Sequence, residues 1–252
     1  MHPTQTVTLK NLHKPPYAQI ICYPKLTTTE LEKRLKELKQ LNINTIHFTG
    51  KKQVHNTPIL GKGCVGIVVK ACTTTQTVAL KIRRTDADRT EMKHEAEMLK
   101  TANALGIGPK LFNKSKNFLT MEYIEGILFP EWLKKAKNKR KIRSVLRQAL
   151  EQCWKLDKAG LDHGELSHAP KHIIIKPDDK PAIVDFETAS TTRKTQNLTS
   201  LAQYFFIAKQ TANQITQKLG ATNKENLKHT LKQYKRQKTR KNFQTILKIL
   251  RL

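Results

Sequence analysis

The glycines Gly61, Gly63 and Gly66, set in the otherwise apolar run from Ile59 to Ala71, constrain the fold of this chain most. Glycine permits the close backbone approach that tight turns and phosphate contacts require. A dinucleotide-binding unit needs a helix directly after such glycines, whereas the β-branched sequence that follows Gly66 is typical of a strand. We therefore predict a β-hairpin whose glycines allow contact with phosphates. The alternative is that the glycines only form a turn.

The chain around this hairpin has the pattern of a small sheet with one helix. A second strand is predicted from Val78, a helix over residues 86–105, and short strands near 110–112 and 118–122. Before the hairpin, an apolar strand at 20–22, a helix capped by Thr29 with Glu32, and a strand over 45–48 form a short prefix. This strand-helix-strand prefix does not favour the alternative of a winged-helix DNA-binding domain.

The chain after Gly126 is predominantly helical. A long helix is predicted over residues 140–159, then two short strands over 173–175 and 182–184, and further helices from Asn197 onward. The fold class expected is α+β, with an antiparallel sheet and one helix in the first lobe and a mostly helical second lobe. We divide the chain into a prefix (1–56), a first lobe (57–124) and a second lobe (125–252).

The composition indicates which kinds of partner and which cell compartment to expect. The chain carries 47 Lys and Arg against 20 Asp and Glu, a net charge of +27 that favours a polyanionic partner, with a lysine-rich proteome as the alternative. No run reaches the roughly 20 apolar residues needed to span a bilayer, and no signal peptide is apparent, so we expect no membrane and a cytoplasmic location. The four cysteines lack C-x-x-C spacing and are expected to be buried free thiols.

Several motifs follow the hairpin in a fixed order. The glycine segment matches G-x-G-x-x-G-x-V, and fifteen residues beyond Gly66 the sequence Val-Ala-Leu-Lys ends at Lys81. Glu95 on the next helix is the expected partner of Lys81, and Glu91 and Glu97 are the alternatives. The sequence MEYIEG then ends a strand at a glycine, and the motifs HGELS (163–167) and DFE (185–187) flank the two short strands.

On these five motifs the chain resembles the atypical, RIO-like branch of the protein-kinase fold over roughly residues 58 to 208. It resembles more narrowly an archaeal group of predicted serine/threonine kinases, and it is similar to the small kinase subunit of the KEOPS tRNA-modifying complex. The resemblance implies that the glycines cover the phosphates of ATP, that Lys81 with Glu95 holds those phosphates, and that Asp185 binds Mg²⁺. Glu165 takes the place of the catalytic aspartate, and a buried structural acid that pairs with His163 or a nearby lysine is the alternative. The remaining nucleotide contacts that the resemblance implies are Val68, Ala79, Met121, Glu122 and Tyr123.

The chain departs from the family pattern at three places. Pro170 occupies the position of a metal-binding asparagine, and a longer loop would bring His172 to the equivalent place, although imidazole is a poor magnesium ligand. Glu187 replaces the glycine of D-F-G and would either add a carboxylate to the metal or face solvent. Few residues separate Asp185 from the helix at Asn197, so the sequence does not identify the acceptor.

Two segments concentrate the positive charge. Residues 134–147 and 224–241 each carry eight Lys or Arg, and Lys224, Lys228, Lys232 and Lys235 share one helical face. A solvated helix face is the alternative, but the net charge favours RNA, either tRNA or rRNA, recognised by shape and charge.

The function predicted is an ATP- and Mg²⁺-dependent serine/threonine kinase that phosphorylates a protein or itself and associates with RNA. The alternatives are a nucleotide-sensing pseudokinase or ATPase that binds RNA, favoured by Glu165, Pro170 and Glu187, and a small-molecule kinase, favoured by the short segment after Asp185.

Overall fold

The computed structural model describes residues 5–252, and residues 1–4 of the predicted prefix lie outside the described part. The chain forms two compact units. One contains the residues up to Lys100 together with Pro109–Tyr123, and the other contains Thr101–Gly108 together with Ile124–Leu252. The class is mixed α and β, as predicted, with an antiparallel sheet in the first unit and several helices in the second.

The first unit is built on an antiparallel sheet. Within residues 5–252 the strand order is β1-β2-β6-β7-β9-β8, β5 pairs with β6, and β3 pairs with β4 as a separate hairpin. The strands are β1 (Gln5–Thr8), β2 (Ile43–Phe48), β3 (Lys52–Val54), β4 (Thr57–Ile59), β5 (Gly61–Lys62), β6 (Gly66–Thr73), β7 (Thr77–Arg83), β8 (Leu111–Lys114) and β9 (Phe118–Glu122).

Residues 5–56 are part of this unit and extend its sheet. β2 pairs with β6, with His47 opposite Lys70, and β1 pairs with β2 at the edge. A short 3-10 helix (Leu9–Asn11) and the helices α1 (Tyr17–Ile21) and α2 (Thr28–Gln40) lie between β1 and β2. The division between compact units in the described chain therefore does not fall at residue 56.

Two local predictions for this region were wrong. The apolar residues at 20–22 end a helix, because Ala18 and Ile21 lie on the side of α1 that is buried in the core, and this packing overrides their strand propensity. The cap of α2 is Thr27, two residues before the predicted cap, and its hydroxyl accepts from the Glu30 amide at 3.3 Å.

Further along the chain, the helix predicted over 86–105 is shorter and forms α3 (Lys93–Asn103).

One face of the sheet packs into the main buried cluster. Successive residues of a strand point to opposite faces, and residues directly opposite on paired strands share a face. Ile67, Val69 and Ala71 of β6 belong to the main buried cluster, together with Leu80 and Ile82 of β7 and residues of α1 and α2. The alternate residues of the same strands therefore lie on the other face.

The second unit combines helices with a small sheet. β10 pairs with β11 and β11 with β12, all antiparallel. The strands predicted over 173–175 and near 182–184 and the long helix predicted over 140–159 are confirmed to within one residue. The elements are β10 (Ile127–Leu128), β11 (Ile173–Ile175), β12 (Pro181–Ile183), α4 (Phe129–Lys135), α5 (Lys139–Lys158), α6 (Asn197–Phe206), α7 (Lys209–Leu219), α8 (Lys224–Arg236) and α9 (Arg240–Leu250), with a 3-10 helix at Leu166–Lys171.

A buried carboxylate joins three helices of this unit. Asp157 of α5 accepts from the amide and side chain of Asn197 (3.0 and 2.9 Å), from the Leu198 amide (3.2 Å) and from the Tyr234 hydroxyl (3.0 Å). It thereby satisfies amides of the first turn of α6 and holds α8 against α5. Burial raises the pKa of this carboxyl, and the hydrogen bonds oppose that rise.

The cysteine prediction is only partly confirmed. All four thiols are free, and Cys22 and Cys153 are buried, but Cys64 is exposed in the turn between β5 and β6 and Cys72 is half-buried. Burial raises the pKa of the Cys22 thiol to about 11. Among residues 5–252, none of the helices has the length and apolar character that a membrane crossing requires.

Candidate functional site

The glycine-rich segment forms the predicted β-hairpin. Gly61 and Lys62 pair with Val68 and Ile67, and the Gly63 amide donates to the Gly66 carbonyl at 2.8 Å, which closes the turn. The glycines differ in how closely they are packed. A Cβ at Gly66 would lie 3.0 Å from the Ile82 carbonyl oxygen and 3.1 Å from two carbons of Lys81, whereas a Cβ at Gly61 would meet Val68 at an ordinary 3.8 Å. A side chain at Gly66 would therefore press against the strand that carries Lys81.

Lys81 and Glu95 form a buried ion pair. Lys81 Nζ lies 2.8 Å from Glu95 Oε1, and each side chain is only 4% exposed. Glu95 is in the first turn of α3, where a carboxylate interacts favourably with the helix dipole. The alternative partners Glu91 and Glu97 are exposed. A buried pair is costly to desolvate, so its presence on the sheet face that lies away from the main buried cluster points to a use beyond stability.

The other residues predicted to contact a nucleotide cluster on this face. Val68 is directly opposite Lys81, and Ala79 is directly opposite both Lys70 and Met121. Directly opposite residues share a face, so Val68, Ala79 and Met121 lie on the side of the sheet that carries Lys81.

Glu122 and Tyr123 follow at the end of β9 and are half-buried. The Glu122 amide donates to the Lys110 carbonyl at 2.8 Å, and a Glu122 carboxylate oxygen accepts from the Lys110 amide at 3.2 Å. The ammonium of Lys70 lies 4.7 Å from the centre of the Tyr123 ring, which is a cation–π contact.

In the second unit, hydrogen bonds with buried groups hold the turn at His163 to Glu165. The His163 amide donates to Asn197 Oδ1 (2.8 Å), and His163 Nε2 is 3.1 Å from the Val184 carbonyl oxygen. Gly164 has φ +89°, and a Cβ there would lie 2.5 Å from a guanidinium nitrogen of Arg193, so only glycine fits. These contacts restrain the backbone directly before Glu165.

Glu165 and Asp185 both contact one buried histidine. His172 Nε2 lies 2.8 Å from Glu165 Oε2, and His172 Nδ1 lies 3.7 Å from Asp185 Oδ2. His172 is 0% exposed, whereas Glu165 and Asp185 are 30% and 36% exposed. Lys171 Nζ is 3.5 Å from the same Glu165 oxygen. The two carboxylates thus reach solvent while the histidine behind them does not.

At neutral pH the surroundings keep the Glu165 carboxylate charged and keep His163 and His172 neutral. Burial lowers the pKa of His163 to about 4, and the neighbouring His172 adds to that shift. Burial also lowers the pKa of His172, against the attraction of Asp185 and Glu165. Burial acts to raise the pKa of Glu165, but the contacts with His172 and Lys171 outweigh it and lower the pKa. A neutral His172 that faces a carboxylate through Nε2 carries its proton on that nitrogen.

The residues after β12 have an unusual backbone. Asp185 has φ +72°, in the left-handed region that aspartate tolerates better than most residues, and such outliers concentrate at functional sites. Phe186 is buried with its ring centre 5.0 Å from that of His163. Glu187 is 7% exposed, so the alternative that it faces solvent was wrong.

A metal ion at this site would have few protein ligands. No group of three or more His, Cys, Asp or Glu side chains that could hold a metal ion occurs within residues 5–252. A magnesium ion is commonly held by one or two carboxylates, with water and substrate phosphates completing its shell, so the half-exposed Asp185 fits this mode. His172, buried and directed at Glu165, does not suit it.

Sequence reasoning anticipated the contacts of Glu165 only in part. It offered a nearby lysine or His163 as an alternative partner, and Lys171 is such a lysine. It considered His172 only as a metal ligand, because nothing in the loop SHAPKH reveals which way this side chain turns. The histidine seven residues after Glu165 was the only available signal.

The two basic segments belong to the second unit. Lys224, Lys228, Lys232 and Lys235 of α8 are all exposed, while Leu227, Leu231 and Tyr234 on the opposite side are buried. Lys228 pairs with Glu225 at 2.7 Å. In the segment 134–147 the cations of the α4–α5 connection are also exposed, and Lys141 pairs with Asp179 at 2.6 Å.

An antiparallel sheet with a buried lysine–glutamate pair, followed by a helical unit with a His-Gly-Glu turn and an Asp-Phe-Glu segment, is typical of the protein-kinase class. The RIO domain family matches residues 70–204, more than half of the chain. The chain therefore belongs to the RIO domain family, whose members are atypical protein kinases. The matched residues include Lys81, Glu95, Glu165 and Asp185, and the glycine hairpin precedes them. No curated protein matches the chain.

Proposed function

We propose that this protein is an ATP-dependent serine/threonine kinase of the RIO type, which transfers the γ-phosphoryl group to a protein hydroxyl or to itself. The observation that carries the proposal is the buried ion pair between Lys81 and Glu95, packed against Gly66 within a RIO-family chain. Phosphoryl transfer depends mainly on positioning and charge neutralisation, and a braced cation supplies both.

The first unit would bind the nucleotide. The hairpin of Gly61, Gly63 and Gly66 would cover the phosphates, and Lys81 would hold the α and β phosphates in the position set by Glu95. Val68, Ala79 and Met121 would contact the adenine through their shared face, and the backbone at Glu122 and Tyr123 would supply its hydrogen bonds. We propose that the two compact units correspond to the two lobes of a kinase.

The second unit would supply the groups for transfer. Glu165 would accept the proton of the acceptor hydroxyl while that oxygen bonds to the γ-phosphorus, and the bond to the β-phosphate oxygen would break with its electron pair leaving on ADP. The lowered pKa of Glu165 keeps its carboxylate ionised at neutral pH. Asp185 would hold Mg²⁺, which neutralises the phosphate charge when bound.

His172 would orient Glu165 and not bind the metal. Its Nε2 proton is donated to Glu165 at 2.8 Å from a buried position, and this contact fixes a glutamate side chain that is one methylene longer than the aspartate of the family pattern. Glu187 as a further metal ligand remains a prediction.

RNA association is the finer part of the proposal. The exposed lysine row of α8 and the cations of segment 134–147 would neutralise phosphates of tRNA or rRNA. The narrower likeness to archaeal predicted kinases and to the KEOPS kinase subunit rests on the motifs and points to tRNA.

Turnover is tested by γ-phosphate release and self-labelling from radiolabelled ATP with Mg²⁺, with and without bulk RNA. We expect activity in the wild type and its loss in Asp185→Ala and Glu165→Ala, while the control Asp178→Ala, an exposed carboxylate paired with Lys180, keeps it. If the wild type binds ATP without turnover under any condition, the kinase proposal is wrong and nucleotide sensing replaces it.

RNA binding is tested by the salt dependence of affinity. Changing the four α8 lysines to glutamate should weaken binding of unrelated RNA sequences alike and flatten the slope of log affinity against log salt. Unchanged affinity in that variant would exclude this helix as the RNA-binding surface.

A further inference from the structure

The glycine hairpin is held by a tyrosine from the prefix. The ammonium of Lys62, the residue between Gly61 and Gly63, donates to the Tyr23 hydroxyl at 2.6 Å and lies 4.5 Å from the centre of the Tyr23 ring. Tyr23 is half-buried and follows α1, in the first 56 residues, whose role the motifs do not explain. One side of the hairpin is therefore tied to the prefix.

Arg84 holds the same hairpin from the strand that carries Lys81. Its guanidinium donates to the Gly63 carbonyl at 3.2 Å, and its amide donates to the Val65 carbonyl at 2.8 Å. Two further bonds, of 2.8 and 2.7 Å, join the guanidinium to Asp86 in a fork. Such a paired contact fixes the plane of the guanidinium. Arg84 therefore acts as a rigid support for the turn.

The two supports are joined to each other. The Arg84 guanidinium lies 5.2 Å from the centre of the Tyr23 ring, and the Thr85 amide donates to the Tyr23 carbonyl at 2.8 Å. The Thr85 hydroxyl accepts from the Lys25 amide at 3.1 Å. The prefix, the end of β7 and the hairpin thus form one connected group of contacts. Its member Arg84 lies only three residues beyond Lys81 in the sequence.

We propose that Tyr23 and Arg84 are positioning residues that hold the glycine hairpin in place for the phosphates of ATP, so that the prefix is a working part of the nucleotide site. This inference rests on the proposed function. Glycine-rich segments lose much conformational freedom when they become ordered, and a hairpin ordered in advance binds its ligand with a smaller entropic cost.

The rival explanation is that Lys62 and Arg84 contact the phosphates themselves. The variant Tyr23→Phe separates the two ideas, because it removes the hydroxyl that accepts from Lys62 and leaves both cations in place. Arg84→Lys keeps the charge but removes the fork to Asp86. Tyr17→Phe is the matched control, since it removes a hydroxyl from another prefix tyrosine, whose ring stacks on Phe48 at 5.0 Å.

The first measurement is amide hydrogen exchange of the hairpin in the full chain without nucleotide. We expect the Gly63 amide to exchange about threefold faster in Tyr23→Phe and about tenfold faster in Arg84→Lys, the changes expected from losing one and two contacts. Exchange in Tyr17→Phe should match the wild type. Wild-type exchange in both hairpin variants would overturn the proposal.

The second measurement is the affinity for Mg-ATP by calorimetry, with KM and kcat for self-labelling. Tyr23→Phe should weaken binding and raise KM about threefold at unchanged kcat, because the hairpin positions the ligand without taking part in transfer. Faster exchange with unaltered ATP affinity would overturn the inference. If the wild type fails to bind ATP, the proposed function is refuted, and the exchange data alone decide whether Tyr23 and Arg84 hold the hairpin.

Discussion

The buried guanidinium of Arg34 offers the sharpest test of how the prefix supports the first unit. Arg34 of α2 is 0% exposed and donates to the Ile21 carbonyl at 2.7 Å, the Arg83 carbonyl at 2.6 Å and Asn117 Oδ1 at 3.1 Å. Its Nε donates to Glu30 at 2.7 Å. These bonds connect the prefix with the end of β7 and with the turn before β9.

We predict that Arg34→Met lowers the free energy of unfolding by about 4 kcal/mol. The substitution keeps an apolar stem but leaves the Ile21 and Arg83 carbonyls buried without this donor, whereas Asn117 still accepts from Arg83. Each buried unsatisfied polar group costs about 1 to 3 kcal/mol. Glu30 is 28% exposed and can be hydrated, so the loss of its ion pair with Arg34 adds little to the destabilisation. A loss of about 4 kcal/mol is a large part of the roughly 5 to 15 kcal/mol by which domains are stable.

Urea unfolding combined with hydrogen exchange of the β7 and β9 amides measures the loss in the unit concerned, even if the two units unfold separately. Arg34→Lys should give an intermediate loss, since an ammonium cannot reach all these acceptors. The control Arg147→Met, at an exposed position of α5, should change stability by less than about 0.5 kcal/mol.

A second variant tests whether these contacts act as a unit. Asn117 also accepts from Arg83 at 2.9 Å and donates to Glu37 at 2.6 Å, so Asn117→Ala and Arg34→Met should be clearly non-additive. A loss below about 1 kcal/mol in Arg34→Met would refute this reasoning, because the Ile21 and Arg83 carbonyls would then be satisfied without the guanidinium.

Three further changes have defined outcomes. Gly66→Ala places a methyl group 3.1 Å from carbons of Lys81 and should weaken ATP binding about tenfold, as measured by calorimetry. His163 has a pKa of about 4 in the folded chain against 6.5 ordinarily, so its stabilising contribution is complete above pH 6.5 and is lost as the pH falls toward 4. The loss amounts to about 3 kcal/mol in the free energy of unfolding. It should be missing when the free energy of unfolding of His163→Asn is measured against pH. Asp157→Ala removes the acceptor of several buried donors, including the Tyr234 hydroxyl, and should lower the free energy of unfolding by about 3 kcal/mol.

Each of these predictions has its own check. Gly61→Ala is the control for the glycine variant, because its methyl would meet only Val68 at 3.8 Å, and an equal effect of both would contradict the packing argument. A parallel pH dependence in wild type and His163→Asn would show that His163 is not buried in its neutral form. Asp157→Asn keeps an acceptor and should recover part of the loss; no difference between the alanine and asparagine variants would contradict the network.

The sequence alone predicts the elements whose signals are local. Ala79 and Lys81 lie two residues apart on β7 and share a face of the sheet by that spacing alone, whereas only the strand register places Val68 opposite Lys81. The signals for the long helix ended by Gly160 and for the two strands before Asp185 are equally local. The order of the motifs, from the glycines to Asp-Phe-Glu, was enough to predict the family that the RIO domain match shows.

Only the tertiary structure decided which side chains meet across the chain. Nothing in the sequence distinguishes His172 as a metal ligand from His172 as the partner of Glu165, because the difference is the direction in which one loop turns. The prefix illustrates the same point: residues 20–22 have strand-forming side chains, yet they end α1, since burial against the sheet is worth more than local preference. Local pattern determines periodicity, whereas contacts between distant residues depend on packing that only the folded chain creates.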